Sequence, residues 1–294
     1  MKLHSSGFPV MRTVRTVSDL RQTLQAWRAD GDSVALVPTM GALHDGHLSL
    51  IKIAQGQARR TVVSLFVNPR QFGAGEDLAH YPRDEGRDAT LMREAGADLL
   101  YAPEATAMYP TGFATTVSMD GPARGMEADT RPGFFAGVCT VVSKLLLQTG
   151  ADCAIFGEKD YQQLIVVRQL VADLDIETRI VAAPTARETD GLARSSRNAY
   201  LDQGQRSRAP RLHSVLQEAA GALASGAPPA STLDDARRAL GDHFDALHYL
   251  EWRDAETLDR ATLLDRSSRL LAAVQLGTTR LIDNVAVSPA GKTV

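Results

Sequence analysis

Residues 34–67 read VALVPTMGALHDGHLSLIKIAQGQARRTVVSLFV and contain two apolar runs on either side of a loop and a helix-length segment. The runs at 34–38 and 61–67 are typical of strands that are buried on both faces of a sheet. The helical stretch between them, at 47–58, has the length of a crossover between two parallel strands. These residues therefore predict a β-loop-α-β unit.

The same alternation continues to about residue 186. The pattern predicts helices at 18–30, 88–95, 138–148 and 161–174, and strands at 98–102, 153–156 and 177–181. Ser18 is the expected N-cap of the first helix, and Gly96 and Gly150 are C-cap signals. Alternation of this kind predicts an α/β fold, a Rossmann-like doubly wound parallel sheet.

The chain changes character after residue 186. A polar, arginine-rich stretch covers 187–208, and residues 222–231 are rich in Ala, Gly, Pro and Ser. A helix is predicted at 233–244, followed by strand candidates at 247–252, 270–276 and 279–287. We therefore expect two domains: a catalytic domain at 1–186 and a second, smaller α+β C-terminal domain at 187–294.

Composition narrows the class of protein. Of 294 residues, 44% are apolar and 23% charged, and the net charge is −3 without a basic block, so a nucleic-acid partner is not favoured. Cys139 and Cys153 lie in apolar contexts and are expected to be small buried hydrophobes. No apolar stretch is long enough to span a bilayer, so no membrane is expected. Residues 1–10, an irregular start, lack the apolar segment of a signal peptide, and a cytoplasmic setting is the expectation.

The loop after the first buried strand contains His44-Asp45-Gly46-His47 and opens a helix. Ligands of open parallel sheets bind beyond the carboxyl ends of strands, where a helix start offers N–H groups and a positive dipole end to phosphate. Two imidazoles there can donate to phosphate oxygens as charge builds, and Gly46 lets the backbone come close. The loop therefore predicts that a phosphorylated ligand binds at this helix start.

Two other interpretations of this loop stay open. The histidines could be polar residues at a solvated helix start, or His44, Asp45 and His47 could hold zinc. No H-E-x-x-H pattern accompanies them, and the chain contains neither a Walker A motif nor G-x-G-x-x-G.

The H-x-G-H loop resembles that of the nucleotidylyltransferase superfamily, which includes the class I aminoacyl-tRNA synthetases. Further segments narrow the resemblance: FVNPRQF at 66–72, DLAHYPR at 77–83, GEKDYQQL at 157–164, DGLARSSRN at 190–198 and GTTRLIDN at 277–284. In this order and at these distances they resemble the pantothenate synthetase (pantoate–β-alanine ligase) family.

The resemblance implies a two-step ligation. Pantoate attacks the α-phosphorus of ATP, which carries Mg²⁺, and pyrophosphate leaves; β-alanine then attacks the pantoyl adenylate, and AMP leaves. It also implies a homodimer whose C-terminal domain is a lid, with no tightly bound organic cofactor. A nucleotidylyltransferase that acts on a different small acid or phosphomonoester is the alternative.

The resemblance also implies roles for individual residues. The catalytic residues would be His47 as proton donor, His44, Lys159 and Arg197. The ATP-binding residues would be Met40, Gly41, Ala42, Leu43, His44, Asp45, Gly46, His47, Gly157, Glu158, Lys159, Asp160, Ala186, Arg194, Ser195, Ser196 and Arg197. Pantoate and β-alanine would contact Asn68, Gln71, Tyr81, Arg131 and Gln163.

Several of these residues have an ordinary alternative. Asp88 could hold Mg²⁺ through water, or it could be only a first-turn helix aspartate. Lys159 and Asp160 could form a surface pair, Asn68 could belong only to a turn, and Gln163 could be an exposed helical residue.

The chain departs from the family pattern at two positions. Phe134 stands where histidine is usual, so a hydrogen bond is missing there, and the efficiency of the second half-reaction is in doubt. Arg194 stands where methionine is usual, and it could add a phosphate contact. A catalytically silent nucleotide-binding protein is a third hypothesis, motivated by Phe134 alone.

Overall fold

The structure is a computed structural model that describes residues 11–73 and 75–289. Its strands are β1 Arg12–Val14, β2 Val34–Thr39, β3 Arg60–Leu65, β4 Leu99–Tyr101, β5 Cys153–Gly157, β6 Arg179–Ala183, β7 Ala246–Asp254, β8 Ser268–Leu276 and β9 Thr279–Val287. Its α-helices are α1 Val17–Ala29, α2 Asp45–Gln57, α3 Glu85–Glu94, α4 Ala105–Met108, α5 Glu127–Thr130, α6 Phe134–Thr149, α7 Tyr161–Asp173, α8 Gln203–Arg208, α9 Arg211–Ala224 and α10 Pro229–His243.

Strands β1 to β6 form one parallel sheet in the order β1-β4-β3-β2-β5-β6. The two central strands are apolar on both faces: Leu36 and Val62 pack into one hydrophobic cluster, and Val37 and Val63 pack into another. Each of these side chains is fully buried, and burial of one such side chain stabilises the fold by about 1.5–3 kcal/mol. The prediction of a doubly wound parallel sheet is confirmed.

The sheet reverses its direction of growth between β2 and β5, which pair in parallel through Ala35 with Cys153 and Leu36 with Ala154. The chain proceeds from β2 to β3 and β4 on one side, and β5 and β6 extend the sheet on the other. A crevice forms at such a switch point, beyond the carboxyl ends of the strands. It is the place where the fold positions a ligand.

Strands β7, β8 and β9 form a separate antiparallel sheet, against which α9 and α10 pack in a hydrophobic cluster of their own. The predicted smaller α+β part of the chain is therefore confirmed. The two sheets lie on either side of residue 186, and the boundary at that residue stays a prediction. The pattern did not predict α9, which ends at Ala224, inside the stretch rich in Ala, Gly, Pro and Ser.

Details at the helix ends correct one expectation. The N-cap of α1 is Thr16, whose hydroxyl accepts from the N–H of Asp19, so the prediction of Ser18 was wrong. The helix begins at Val17, so Thr16 occupies the N-cap position directly before it. Ser18 already lies inside the first turn and cannot be the cap. The predicted glycine signals mark both helix ends: Gly150 is the C-cap of α6 and Gly96 directly follows Ala95, the C-cap of α3. Their φ values of 51° and 86° favour glycine.

Both cysteines are free and buried, as expected. In residues 11–73 and 75–289, no helix combines the length and apolar character needed to cross a membrane. The predicted irregular start at 1–10 lies outside the described residues.

Candidate active site

A sharply bent loop connects β2 to α2. Gly41 and Ala42 have positive φ of 86° and 51°, a conformation that costs a non-glycine residue about 1–2 kcal/mol. The carboxylate of Asp88, which is 1% exposed, stabilises the bend by accepting from the N–H groups of Ala42 and Leu43, both at 2.8 Å. Asp88 lies in the first turn of α3. These contacts give it a structural task, and its Mg²⁺ role stays a prediction.

His44 and His47 form a capping box at the start of α2. The N–H of Gly46 donates to His44 Nδ1 at 3.1 Å, and the N–H of His44 donates to His47 Nδ1 at 3.4 Å. Because each Nδ1 accepts, each neutral ring carries its proton on Nε2. The ring centroids are 4.2 Å apart, and both residues line the same cavity.

Gly46 serves this arrangement in a way that the sequence did not predict. A Cβ at this position would lie 2.8 Å from His44 Nδ1 and would clash with the ring. The glycine therefore leaves room for the His44 imidazole to fold back onto its own helix start.

Burial keeps both histidines neutral at pH 7. Loss of hydration lowers the pKa of His44 to about 4, and the charges of Lys159 and Arg194 act in the same direction. Burial lowers the pKa of His47 to about 3, and a protonated His44 and the charge of Lys159 act in the same direction. The rings can therefore act as neutral N–H donors to a phosphate.

These pKa values predict how activity and stability depend on pH. We expect kcat/KM for ATP to lack an acid limb near pH 6.5, the ordinary imidazole pKa. Below about pH 6.5 the unfolded histidines bind protons, whereas the folded ones stay neutral until the pH approaches 4 for His44 and 3 for His47. The free energy of unfolding should therefore fall as the pH drops from about 6.5 towards these values. A pH–rate profile and denaturant titrations measure both effects. The expectation would be contradicted by an acid limb near pH 6.5 in the pH–rate profile of the unaltered protein, if that limb is lost in His47→Gln but kept in His243→Gln.

The cavity at the switch point has a volume of about 240 Å³. It brings together most of the residues that the sequence proposed for the site, namely Met40, His44, Gly46, His47, Asn68, Gln71, Tyr81, Arg131, Gly157, Lys159, Asp160, Gln163, Ala186, Arg194, Ser195, Ser196 and Arg197. The proposed residues Gly41, Ala42, Leu43, Asp45, Glu158 and Asp88 are not among those that line it. The backbone of 41–43 shapes the loop instead.

The sequence analysis missed the apolar wall of the cavity. Side chains of α6, including Phe134, Val138, Val142 and Leu145, line it together with Phe72. The sequence did contain a signal for this wall: α6 is apolar on nearly every side, which is typical of a buried helix. Tyr81 also forms part of a wall: it is 7% exposed and meets Phe72 edge to face.

The amide side chains on this wall are held in place. Asn68 is 1% exposed, and its amide donates to Gln71 Oε1 at 3.0 Å and to the carbonyl of Gly137 at 3.1 Å. It also caps the short turn Pro69–Gln71. Asn68 therefore orients Gln71, and its own contact with substrate stays a prediction. Gln163 lines the cavity from α7.

Arg131 is paired within the protein. Its guanidinium donates to both carboxylate oxygens of Glu76 at 2.7 Å and to the carbonyl of Gln71 at 3.2 Å. Although burial alone would raise the pKa of Glu76, hydrogen bonds and charge from Arg131 lower it. The guanidinium also stacks on Phe134, with its carbon 3.8 Å from the ring centroid. Phe134 thus supplies an aromatic face where the family pattern has histidine.

The loop after β5 is supported from the C-terminal sheet. The amide of Asn284 donates to the carbonyls of Glu158 and Lys159 at 2.8 and 3.0 Å. Arg269 donates to the Glu158 carboxylate at 2.9 Å, and Glu158 is not among the residues that line the cavity. Lys159 Nζ lies 3.9 Å from Asp160 Oδ1, a weak pairing that leaves the lysine side chain in the cavity wall.

The loop of Ser195, Ser196 and Arg197 also lines the cavity. The hydroxyl of Ser196 donates to the carbonyl of Ala42 at 3.0 Å. The N–H of Arg194 donates to the carbonyl of Ala186 at 2.9 Å. The side chain of Arg194 pairs with Asp45 and Glu188, so the loop lies directly against the start of α2.

No cluster of three or more His, Cys, Asp or Glu side chains able to hold a metal ion occurs in the described part of the chain. The zinc alternative for His44, Asp45 and His47 therefore gains no support.

The fold and this cavity define an α/β enzyme that presents neutral histidines, a lysine and a Ser-Ser-Arg loop around one helix start. The sequence model described as Pantoate-beta-alanine ligase matches residues 12–286. The chain belongs to the pantoate–β-alanine ligase family. It is a ligase that joins pantoate to β-alanine, as the sequence predicted, and the nucleotidylyltransferase with a different substrate is not favoured.

Individual relatives agree with this assignment. The pantothenate synthetase of Mesorhizobium japonicum is 54% identical over 275 residues, which are 93% of this chain and 97% of that protein. The crystal structure of pantothenate synthetase from Thermus thermophilus has a TM-score of 0.90 at 45% identity and covers 95% of this chain and 100% of that one. Pantoate-beta-alanine ligase from Francisella tularensis, crystallised in complex with beta-gamma ATP and beta-alanine, has a TM-score of 0.80 at 31% identity and covers 94% and 97%.

Proposed function

We propose that the ligation proceeds through a pantoyl adenylate formed and consumed in the 240 Å³ cavity. In the first step a pantoate carboxylate oxygen bonds to the α-phosphorus of ATP, and the bond from that phosphorus to pyrophosphate breaks. In the second step the amine of β-alanine bonds to the acyl carbon, AMP leaves, and the amine loses a proton. Mg²⁺ enters as part of the ATP substrate.

The observation that carries this mechanism is the convergence of two kinds of group on one cavity. His44, His47, Lys159 and Arg197 line it, and as donors and cations they suit the charge that builds on phosphate oxygens. Gln71 and Gln163 line the same cavity, and an amide can both donate to and accept from a hydroxy acid. We assign the first group to ATP and the amides to pantoate.

The direct test is exchange of labelled pyrophosphate into ATP. Exchange should require pantoate and should proceed without β-alanine, because the adenylate forms before the amine enters. Exchange that ignores pantoate, or that requires β-alanine, would exclude this order of steps.

The state of the protein in the cell also belongs to the proposal. We propose a homodimer that works in the cytoplasm, with residues 187–294 acting as a lid over the 1–186 domain. Light scattering of the purified chain tests the oligomeric state.

The substitution at Phe134 gives a further prediction. Phe134→Ala removes the face on which Arg131 stacks, and since such a contact contributes about 0.5–2 kcal/mol, kcat/KM should fall about 2- to 30-fold. Phe134→His keeps a planar ring and should retain pantoate-dependent exchange near the level of the unaltered protein. Exchange and full turnover are measured for each variant. If the unaltered protein binds ATP but forms no AMP while Phe134→His does, the silent-protein hypothesis holds instead.

A further inference from the structure

Arg194 joins three segments around the mouth of the cavity. One guanidinium nitrogen lies 2.5 Å from Asp45 Oδ2, in the first turn of α2, and another lies 3.1 Å from Glu188 Oε2. The side chain of Arg194 is 27% exposed, whereas that of Asp45 is 68% exposed. A planar guanidinium can serve two carboxylates at once because its donors point in fixed, different directions.

The backbone of the same residue is fixed as well. Its N–H bonds the carbonyl of Ala186, and its Cβ is 3.6 Å from the position that a Cβ on Gly46 would take. Two residues further on, the Ser196 hydroxyl bonds the carbonyl of Ala42 at 3.0 Å. The segment 194–197 is thus tied to the β2–α2 loop through Ser196 and to the start of α2 through Arg194.

We propose that Arg194 is a positioning residue, whose bridge between Asp45 and Glu188 fastens the Ser195–Arg197 loop onto the start of α2 and thereby strengthens binding of the nucleotide phosphates. This inference rests on the proposed role of the cavity as the ATP site. It differs from the expectation that the Arg194 side chain would itself contact phosphate, since both terminal nitrogens of its guanidinium pair with carboxylates.

Charge gives the bridge a second effect. Asp45 lies at the helix start where a phosphate would bind, and an uncompensated carboxylate there would repel that phosphate. Arg194 balances this charge in the present arrangement. Its loss would therefore both release the loop and expose the nucleotide to Asp45.

The test compares Arg194→Met with a matched control. Methionine keeps an unbranched side chain but removes the charge. Because ion pairs of this exposure contribute about 0.2–1 kcal/mol, KM for ATP should rise about 1.4- to 5-fold. The value of kcat should change less. Arg206→Met removes another arginine–carboxylate pair, Arg206 with Asp190, from the same connecting segment but outside the cavity lining, and it should leave KM unaltered.

A double-mutant cycle with Asp45→Asn separates positioning from general loss of charge. The effect of Arg194→Met should largely vanish in the Asp45→Asn background, because the pair is then already broken. Hydrogen exchange of residues 193–198 should accelerate in Arg194→Met and stay unchanged in Arg206→Met. Additive effects on KM together with unchanged exchange of this loop would overturn the proposal.

Failure of the underlying function gives a different result. If the unaltered protein shows no pantoate-dependent pyrophosphate exchange, the proposed mechanism fails. The proposed role of the Arg194 bridge is then tested by two measurements in the same variants: the calorimetric affinity for a non-hydrolysable ATP analogue and the hydrogen exchange of residues 193–198.

Discussion

The His47→Ala variant should lose about 10²- to 10³-fold in kcat for pantoate-dependent pyrophosphate exchange, the cost of removing one preorganised donor to a developing oxyanion. His47 is neutral, and its Nδ1 is occupied by the N–H of His44, which leaves Nε2–H as the donor. A contact that strengthens in the transition state lowers kcat much more than it changes KM when it is removed. Steady-state exchange kinetics across ATP concentrations separate the two constants.

Loss of the helix cap has to be distinguished from loss of the donor. Removal of a capping side chain costs about 0.5–2 kcal/mol of stability, so the melting temperature is measured for each variant. His47→Asn retains an amide donor and should recover part of the lost kcat. An unchanged kcat in a folded His47→Ala protein removes His47 from the mechanism.

The Glu127→Ala variant should be the least stable of the single substitutions considered. Glu127 side-chain oxygens accept from Arg280 at 2.9 and 2.6 Å and from the Tyr249 hydroxyl at 2.8 Å, and its side chain is 8% exposed. Burial alone would raise its pKa, but hydrogen bonds and charge from Arg280 lower it, which keeps the carboxylate ionised. Removing one partner of a buried pair costs about 3–5 kcal/mol because the other charge is left uncompensated.

Arg280 retains 22% exposure, so we expect the lower end of that range, about 3 kcal/mol. At about 2–4 °C per kcal/mol, the melting temperature should fall about 6–12 °C. The double variant Glu127→Leu/Arg280→Met removes both charges and should recover most of the loss. Equal melting temperatures for Glu127→Ala and the unaltered protein would show that the pair contributes nothing measurable.

The sequence was most informative where a pattern is local. Two apolar runs around a helix-length segment predicted the β2–α2–β3 unit, and the position of His44 and His47 at the start of a helix followed from their place in it. Their joint approach to one cavity agrees with this interpretation. Local patterns decide such features because they depend on strand burial and chain length rather than on distant partners.

Features that depend on contacts between distant segments could not be predicted. Asp88 bonds the backbone 45 and 46 positions away, and no spacing rule connects a first-turn aspartate with a loop so far along the chain. The pairing of Arg131 with Glu76, 55 positions away, could not be predicted either; Arg131 lines the cavity, and its contact with substrate stays a prediction. The partner of a charged side chain is set by the tertiary fold.

The hydrogen bonds from β9 to the active-site loop limit where the chain can be cut into fragments. Asn284 supplies the donors that support the carbonyls of Glu158 and Lys159, and Arg280 on the same strand supplies the counter-charge of Glu127. A fragment ended at residue 186 would contain the whole parallel sheet but neither of these supports. The two sheets are therefore not interchangeable modules, and a split or chimaeric enzyme has to keep β9 matched to the 157–160 loop that it supports.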